Sequence, residues 1–260
     1  MHADITRLDL RLRRRSTIGY TAGIALYTLV VVALYPSFEH STSLDSLSGS
    51  TAAALFGVTG PLTSPGGWLN GNIYGNFFPL IMLLLTIGYG AACLAGQDET
   101  GTLGLIATLP ARRGAIVYQK TLAMGLQAVL LGTGVTICVL AGRDFQLHVS
   151  LGNAIGIALA LTLMGLDFGL VTMAVGAATG RRGTALGVGS ALAAASYLLS
   201  SLAAVIADIR PGRYASLFYW SVGNDQISSG VTVMDLIVLV AVGIAALAAA
   251  VIAFRRADLN

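Results

Sequence analysis

The chain has 260 residues, of which 55% are apolar and only 10% charged, with a net charge of +3 and a mean hydropathy of +0.79. A soluble domain carries roughly 25% charged residues, so the composition excludes a surface built for water and gives no expectation of a nucleic-acid partner. It leaves room for about six spans of roughly 20 residues with their loops, in a single domain over residues 1–260.

The N-terminal segment holds Arg7, Arg11, Arg13, Arg14 and Arg15 ahead of an apolar run at roughly 17–35. Those flanks are shared by signal peptides, but the run is too long for an h-region and is followed by Leu34-Tyr35-Pro36 rather than a small-x-small cleavage site, so it is expected to be the first span. Residues 36–75 contain no Lys or Arg, but include Pro61, Pro65, Gly66, Gly67 and Trp68. Further apolar runs lie at roughly 76–95, 121–141, 151–178, 184–207 and 233–254, each long enough to cross the hydrocarbon core as a helix. The fourth is over-long and is expected to tilt or extend into the cytoplasm. Thr179 to Gly183 join it to the fifth as a tight hairpin. Residues 208–230 cluster Tyr214, Phe218, Tyr219 and Trp220, either as an interfacial aromatic belt or as short half-inserted helices. Cys93 and Cys138 fall inside apolar runs and read as small buried hydrophobes.

The basic residues divide by loop. Arg7, Arg11, Arg13, Arg14, Arg15, Arg112, Arg113, Lys120, Arg181, Arg182, Arg255 and Arg256 fall on one side, and Arg143, Arg210 and Arg213 on the other. Lys and Arg favour the cytoplasmic face, so both termini are expected there. The fold class is therefore an all-α polytopic membrane helix bundle with about six transmembrane helices. Lys120 is the single lysine among 15 basic residues; that arginine bias, with abundant Ala and Gly, fits a GC-rich genome and a multi-pass protein of a bacterial plasma membrane.

The connection between the second and third runs spans 97–113. Asp98 and Glu99 suit a helix start, where carboxylates meet the positive pole. Leu103, Ile106 and Ala107 make an apolar stripe at i, i+3, i+4, and Pro110 ends it. The pattern predicts a short amphipathic helix on the cytoplasmic face, with Arg112, Arg113 and Lys120 following at headgroup level.

Glu99, Gly101, Thr102, Leu103, Pro110, Arg112 and Lys120 resemble the Glu-x-Gly-Thr-Leu, Pro-x-Arg and Lys pattern of type-2 ABC exporter permeases. The ending Phe254-Arg255-Arg256-Ala257-Asp258-Leu259 is similar to that family's closing Phe-Arg-Arg-Asp-Leu, apart from the inserted Ala257. Tyr35-Pro36-Ser37-Phe38 and the Pro-Gly-Gly-Trp loop look like one subgroup of it. The resemblance implies that the cytoplasmic helix is a coupling helix. Glu99, Gly101, Thr102, Leu103, Ile106, Pro110, Arg112, Arg113 and Lys120 would pass the motion of an ABC ATP-binding subunit to the spans. It also implies two copies of that subunit holding ATP and Mg, and a second permease chain, identical or homologous, in surrounding lipid.

The chain has no phosphate-binding loop, because Lys120-Thr121 follows Gln119 rather than a glycine-rich turn. Energy must come from a separate subunit or an ion gradient. His2, His40 and His148 lie in termini or loops, and no Gly-x-Ser-x-Gly elbow, in-span carboxylate pair or metal set is present, so the chain itself is not expected to be an enzyme. Asp167 is the one ionisable residue expected deep in a span, at a cost of roughly 2.5–3.5 kcal/mol. It shares a helix face with Asn153, Gly156 and Ala160, opposite Gly165, Gly169, Gly176 and Gly180. That glycine stripe predicts close packing on a neighbour. Asn153 and Asp167 are candidates for a substrate path, or Asp167 bonds to a neighbouring side chain and fixes packing. Asp235, at the outer end of the last run, is expected to be solvated. The expected role is an exporter permease for an amphipathic or hydrophobic compound. The alternatives are an ion-gradient transporter using Asp167 and a non-transporting scaffold.

Overall fold

The computed structural model describes residues 4–39, 41, 61–101, 113–223 and 225–256. Among them the chain forms α1 (Asp4–Phe38), α2 (Pro65–Glu99), α3 (Arg113–Ala141), α4 (Leu151–Thr179), α5 (Arg182–Val205), α6 (Leu217–Ser221), α7 (Gln226–Ser229) and α8 (Val233–Arg256), and no strand. All but α6 and α7 are long and apolar enough to cross a membrane. The chain is a multi-pass membrane protein with an all-α bundle as its fold.

Helix α4 is the hub, packing against α2, α3, α5 and α8, while α1 lies along α3. The glycine stripe explains that position. A Cβ on Gly165 would meet Met82, one on Gly169 would meet Met124 and Thr86, and one on Gly176 would meet Ala95. At the tightest point a Cβ on Gly90 would stand 2.3 Å from the Gly169 carbonyl oxygen, so both helices need glycine for their backbones to touch. The expected packing face is therefore the one used, and the neighbour is α2. Gly180 at φ 64° ends α4 as a left-handed C-cap, so the hairpin is tighter than Thr179–Gly183: α5 begins at Arg182.

Three helices are longer than their apolar runs, and of these α3 begins at Arg113 rather than near 121. α1 begins at Asp4 rather than near 17, so the arginines Arg7 to Arg15 are helical. The extension has polar partners on α3. Thr6 Oγ1 donates to the Gln119 carbonyl (2.9 Å), Ile5 N to Gln119 Oε1 (3.1 Å) and Thr17 Oγ1 to Gln127 Oε1 (2.8 Å). Arg7, Arg11, Arg14 and Arg15 face away from the bundle. α2 begins at Pro65 rather than near 76, with Ser64 capping it through a hydrogen bond from Gly67 N. Its axis is interrupted by π-helical turns at Asn70–Tyr74 and Ala92–Gly96. Pro79 accounts for the break at Asn76 (φ −134°, ψ −76°). Proline has no N–H for the carbonyl four residues back, and its ring crowds that carbonyl. As the third residue of the resumed helix, it loses only a donor that has no intrahelical partner.

The outer end is closed by short helices. Trp68 is buried and its Nε1 donates to the Val31 carbonyl at 3.0 Å. α6 and α7 pack on α4, burying Phe218 and Ile227. Tyr214, Tyr219 and Trp220 stay at the rim around the Arg213 guanidinium, which lies 5.0 Å and 4.8 Å from the two tyrosine ring centres. The hydrogen bond and charge of Arg213 hold the Tyr214 phenol below its ordinary pKa. Asp235 is buried rather than solvated: its Oδ2 accepts from Thr232 N (2.9 Å) while Thr232 Oγ1 accepts from Asp235 N (3.2 Å). This is a capping box at the start of α8.

Candidate functional site

The functional features gather at the inner ends of α1, α2, α3 and α5, and in a groove that rises from there. Lys120 lies on the eighth residue of α3 and has no exposed surface. It is therefore turned into the bundle rather than towards headgroups or water. It points into the bundle because the extended α1 brings Asp9 to meet it, Nζ to Oδ2 at 3.3 Å. Lys120 Nζ also donates to Gln97 Oε1 at 2.8 Å, and Tyr89 OH donates to Asp9 Oδ2 at 2.5 Å. Arg13 closes the cluster with its guanidinium 4.6 Å from the Tyr89 ring centre. Desolvating two charges costs several kcal/mol each and is offset only when the pair is close and further hydrogen bonds are made; this cluster has both.

Two residues beyond Gln97, Glu99 occupies an unusual place. Asp98 and Glu99 end α2 rather than start a new helix, so they sit at the negative pole of their own helix. Glu99 is offset by a different helix: its Oε1 accepts from Arg182 N, the first residue of α5, at 2.8 Å. Gly101 follows at φ 69°, its N–H bonded to the Asp98 carbonyl at 2.9 Å. A left-handed residue just past a helix end is the usual station of glycine, which gives Gly101 a conformational reason to be there. Arg113 Nη1 reaches the Arg255 carbonyl at 3.5 Å, joining α3 to the last turn of α8. Thr102, Leu103, Ile106, Pro110 and Arg112, with the amphipathic helix expected around them, lie outside the described residues.

Between α2 and α5 runs a groove of about 820 Å³. Leu80, Leu83, Leu84 and Ile87 form one wall, and Leu186, Ala193 and Tyr197 the other. Its polar groups are few. Asn72 and Asn76 are held by bonds to the Trp68 and Gly71 carbonyls, and Tyr197 OH reaches Asn76 Oδ1 at 3.4 Å. α5 gives the groove its openness because it buries only a narrow stripe: Ala185, Gly189, Ala193, Ser201 and Ala203.

Asn153 and Asp167 lie elsewhere. Asn153 Nδ2 donates to the Ile227 and Ser228 carbonyls, both at 3.0 Å, and so ties α7 to α4. Asp167 is 1% exposed, in the seam with α8, where a Cβ on Gly243 would stand 2.7 Å from its Oδ1. Its Oδ2 has no hydrogen-bond partner among the described residues. Neither residue lines the groove.

Asp9, Tyr89, Gln97 and Arg182 were not singled out by the sequence. Asp9 had a signal: it shares an i±4 face with Ile5 and Arg13, opposite the exposed arginines. Cys93 and Cys138 are buried and free, as expected. Among the described residues no group of His, Cys, Asp and Glu is placed to hold a metal. No protein-family model matches the chain, and no curated protein matches it.

Proposed function

We propose that the chain is the membrane-spanning permease subunit of an ABC exporter of an amphipathic or hydrophobic compound, working in a bacterial plasma membrane. The observation that carries this reading is the apolar α2–α5 groove, whose two walls are joined at the inner end by Glu99 and Arg182. That join adjoins the segment resembling a coupling helix. Two ATP-binding subunits would supply the energy, and a second permease chain would complete the pathway; ATP and Mg belong to the partner, and no residue here is assigned to them. The groove favours apolar cargo, since its lining offers two asparagines, Ser190 and Tyr197 but no charge.

The test is reconstitution. The chain should co-purify with an ATP-binding subunit encoded beside it, and proteoliposomes should export an amphipathic dye with ATP. Ala193→Trp, which fills the groove, should cut export at least tenfold while the complex still assembles. Export driven by a proton gradient with no ATP requirement would overturn the reading. That second outcome has one observation in its favour, the Oδ2 of buried Asp167, which has no partner among the described residues. An ion-gradient transporter using Asp167 would lose its drive in Asp167→Asn, whereas the ABC exporter would keep it.

A further inference from the structure

Glu99 is misplaced with respect to its own helix and well placed with respect to another. The N-cap residue of α5, Arg181, makes no side-chain cap bond. The N–H of Arg182 is instead satisfied by a carboxylate 83 residues earlier in the chain. Asp98 lies over the same turn, its Oδ2 3.4 Å from where a Cβ on Gly180 would stand. The rest of α5 buries only a narrow stripe of small residues. Gly189 sits against Thr172 in that stripe, and towards the outer end the Ser196 carbonyl accepts from Ser216 Oγ and the Ser196 hydroxyl from Leu217 N. Gln97, on the same turn as Glu99, is bonded to Lys120 and so to the α1–α3 body. The end of α2 is thus bonded both to the α1–α3 pair and to the first residue of α5, one wall of the groove.

We propose that Glu99 is a positioning residue that caps α5 from outside, so that a displacement of the inner end of α2 at Gln97–Glu99 is delivered to the groove wall through the Glu99–Arg182 bond. The cap stands on geometry alone; the delivery step rests on the permease reading above.

The backbone permits a direct test. Arg182 is the first residue of α5, where proline is accepted, and Arg181 is extended (φ −117°, ψ 113°), as a residue before proline must be. Arg182→Pro therefore deletes the N–H and spares the helix. Arg182→Ala loses the same guanidinium but keeps the N–H, and is the reference. In the purified chain in nanodiscs, hydrogen exchange over residues 185–189 should be about fivefold faster in Arg182→Pro and Glu99→Ala than in Arg182→Ala, the size expected for losing a cap. Glu99→Gln keeps an acceptor oxygen and should restore most of the protection. In the complex with its ATP-binding subunit, the same two variants should lower the transport obtained per ATP hydrolysed. The double variant should be no worse than either one. Equal exchange in Arg182→Pro and Arg182→Ala overturns the cap. Changed exchange with an unchanged transport-to-ATP ratio overturns the delivery step. Failure of the wild-type chain to assemble with any ATP-binding subunit overturns the permease reading and delivery with it, and leaves exchange to decide the cap.

Discussion

Lys120 shows how far a residue's role depends on a partner that a local reading does not supply. The motif draws the eye to it, yet its position next to an apolar run puts it at the headgroups; only the extension of α1, which delivers Asp9, takes it inside. Lys120→Met strands the Asp9 carboxylate and should cost about 3–5 kcal/mol. Asp9→Leu combined with Lys120→Met should recover much of the loss, because it removes both charges together. Thermal unfolding in detergent checks both, and a milder Lys120→Met than double variant would contradict the pairing. Asp167 calls for a different experiment. Gly243→Ala presses a methyl onto Asp167 Oδ1 and should destabilise by about 1–3 kcal/mol. Asp167→Ala should relieve that penalty, giving a non-additive double-mutant cycle of about 1 kcal/mol or more. If the two costs simply add, the residues do not bear on each other.

At the scale of elements, the six spans were legible, and so, within two residues, were the ends of α4, α5 and α8; the starts of α1, α2 and α3 were not. Twenty apolar residues announce a span by composition, whereas the inner half of α1 is helical because Thr6, Thr17 and Ile5 find Gln119 and Gln127, more than a hundred residues away. The outer start of α2 was hidden by Pro65, Gly66 and Gly67, which read as a loop but serve a capped and π-wound helix. Thr232-x-x-Asp235 was readable as a capping box and was passed over because a carboxylate at a span's edge suggests water. The glycine stripe of α4 was readable at Gly165, Gly169 and Gly176, since a period of 3.6 residues fixes its direction, while Gly180 caps the helix instead. Gly90→Leu, which drives a side chain into the α4 backbone at Gly169, should lower the melting temperature more than Gly88→Leu two residues away, where a Cβ meets nothing. Similar melting of the two would contradict the α2–α4 contact.

For the molecule as a whole, the separation of charges predicts which end faces the cytoplasm. With Cys93 and Cys138 replaced by alanine, a cysteine at exposed Asp208 should react with a membrane-impermeant maleimide on intact cells, and one at exposed Arg181 should react only after lysis. The reverse pattern would invert the topology and put Glu99 outside, beyond reach of any nucleotide. The turn between α4 and α5 bears on how such a protein is made. A single residue, Arg181, separates the glycine that ends one helix from the first residue of the next. Two spans joined so closely leave the ribosome within a few seconds of each other, at ~5–20 residues per second, and cannot be threaded independently. α5 is poor in bulky side chains, rich in Ala, Gly and Ser, and the least apolar of the six spans. It would enter lipid as the second arm of a hairpin, drawn in by α4 while Arg181 and Arg182 stay behind as the anchor, so the joint that organises the inner face of the finished protein also sets the order of its insertion.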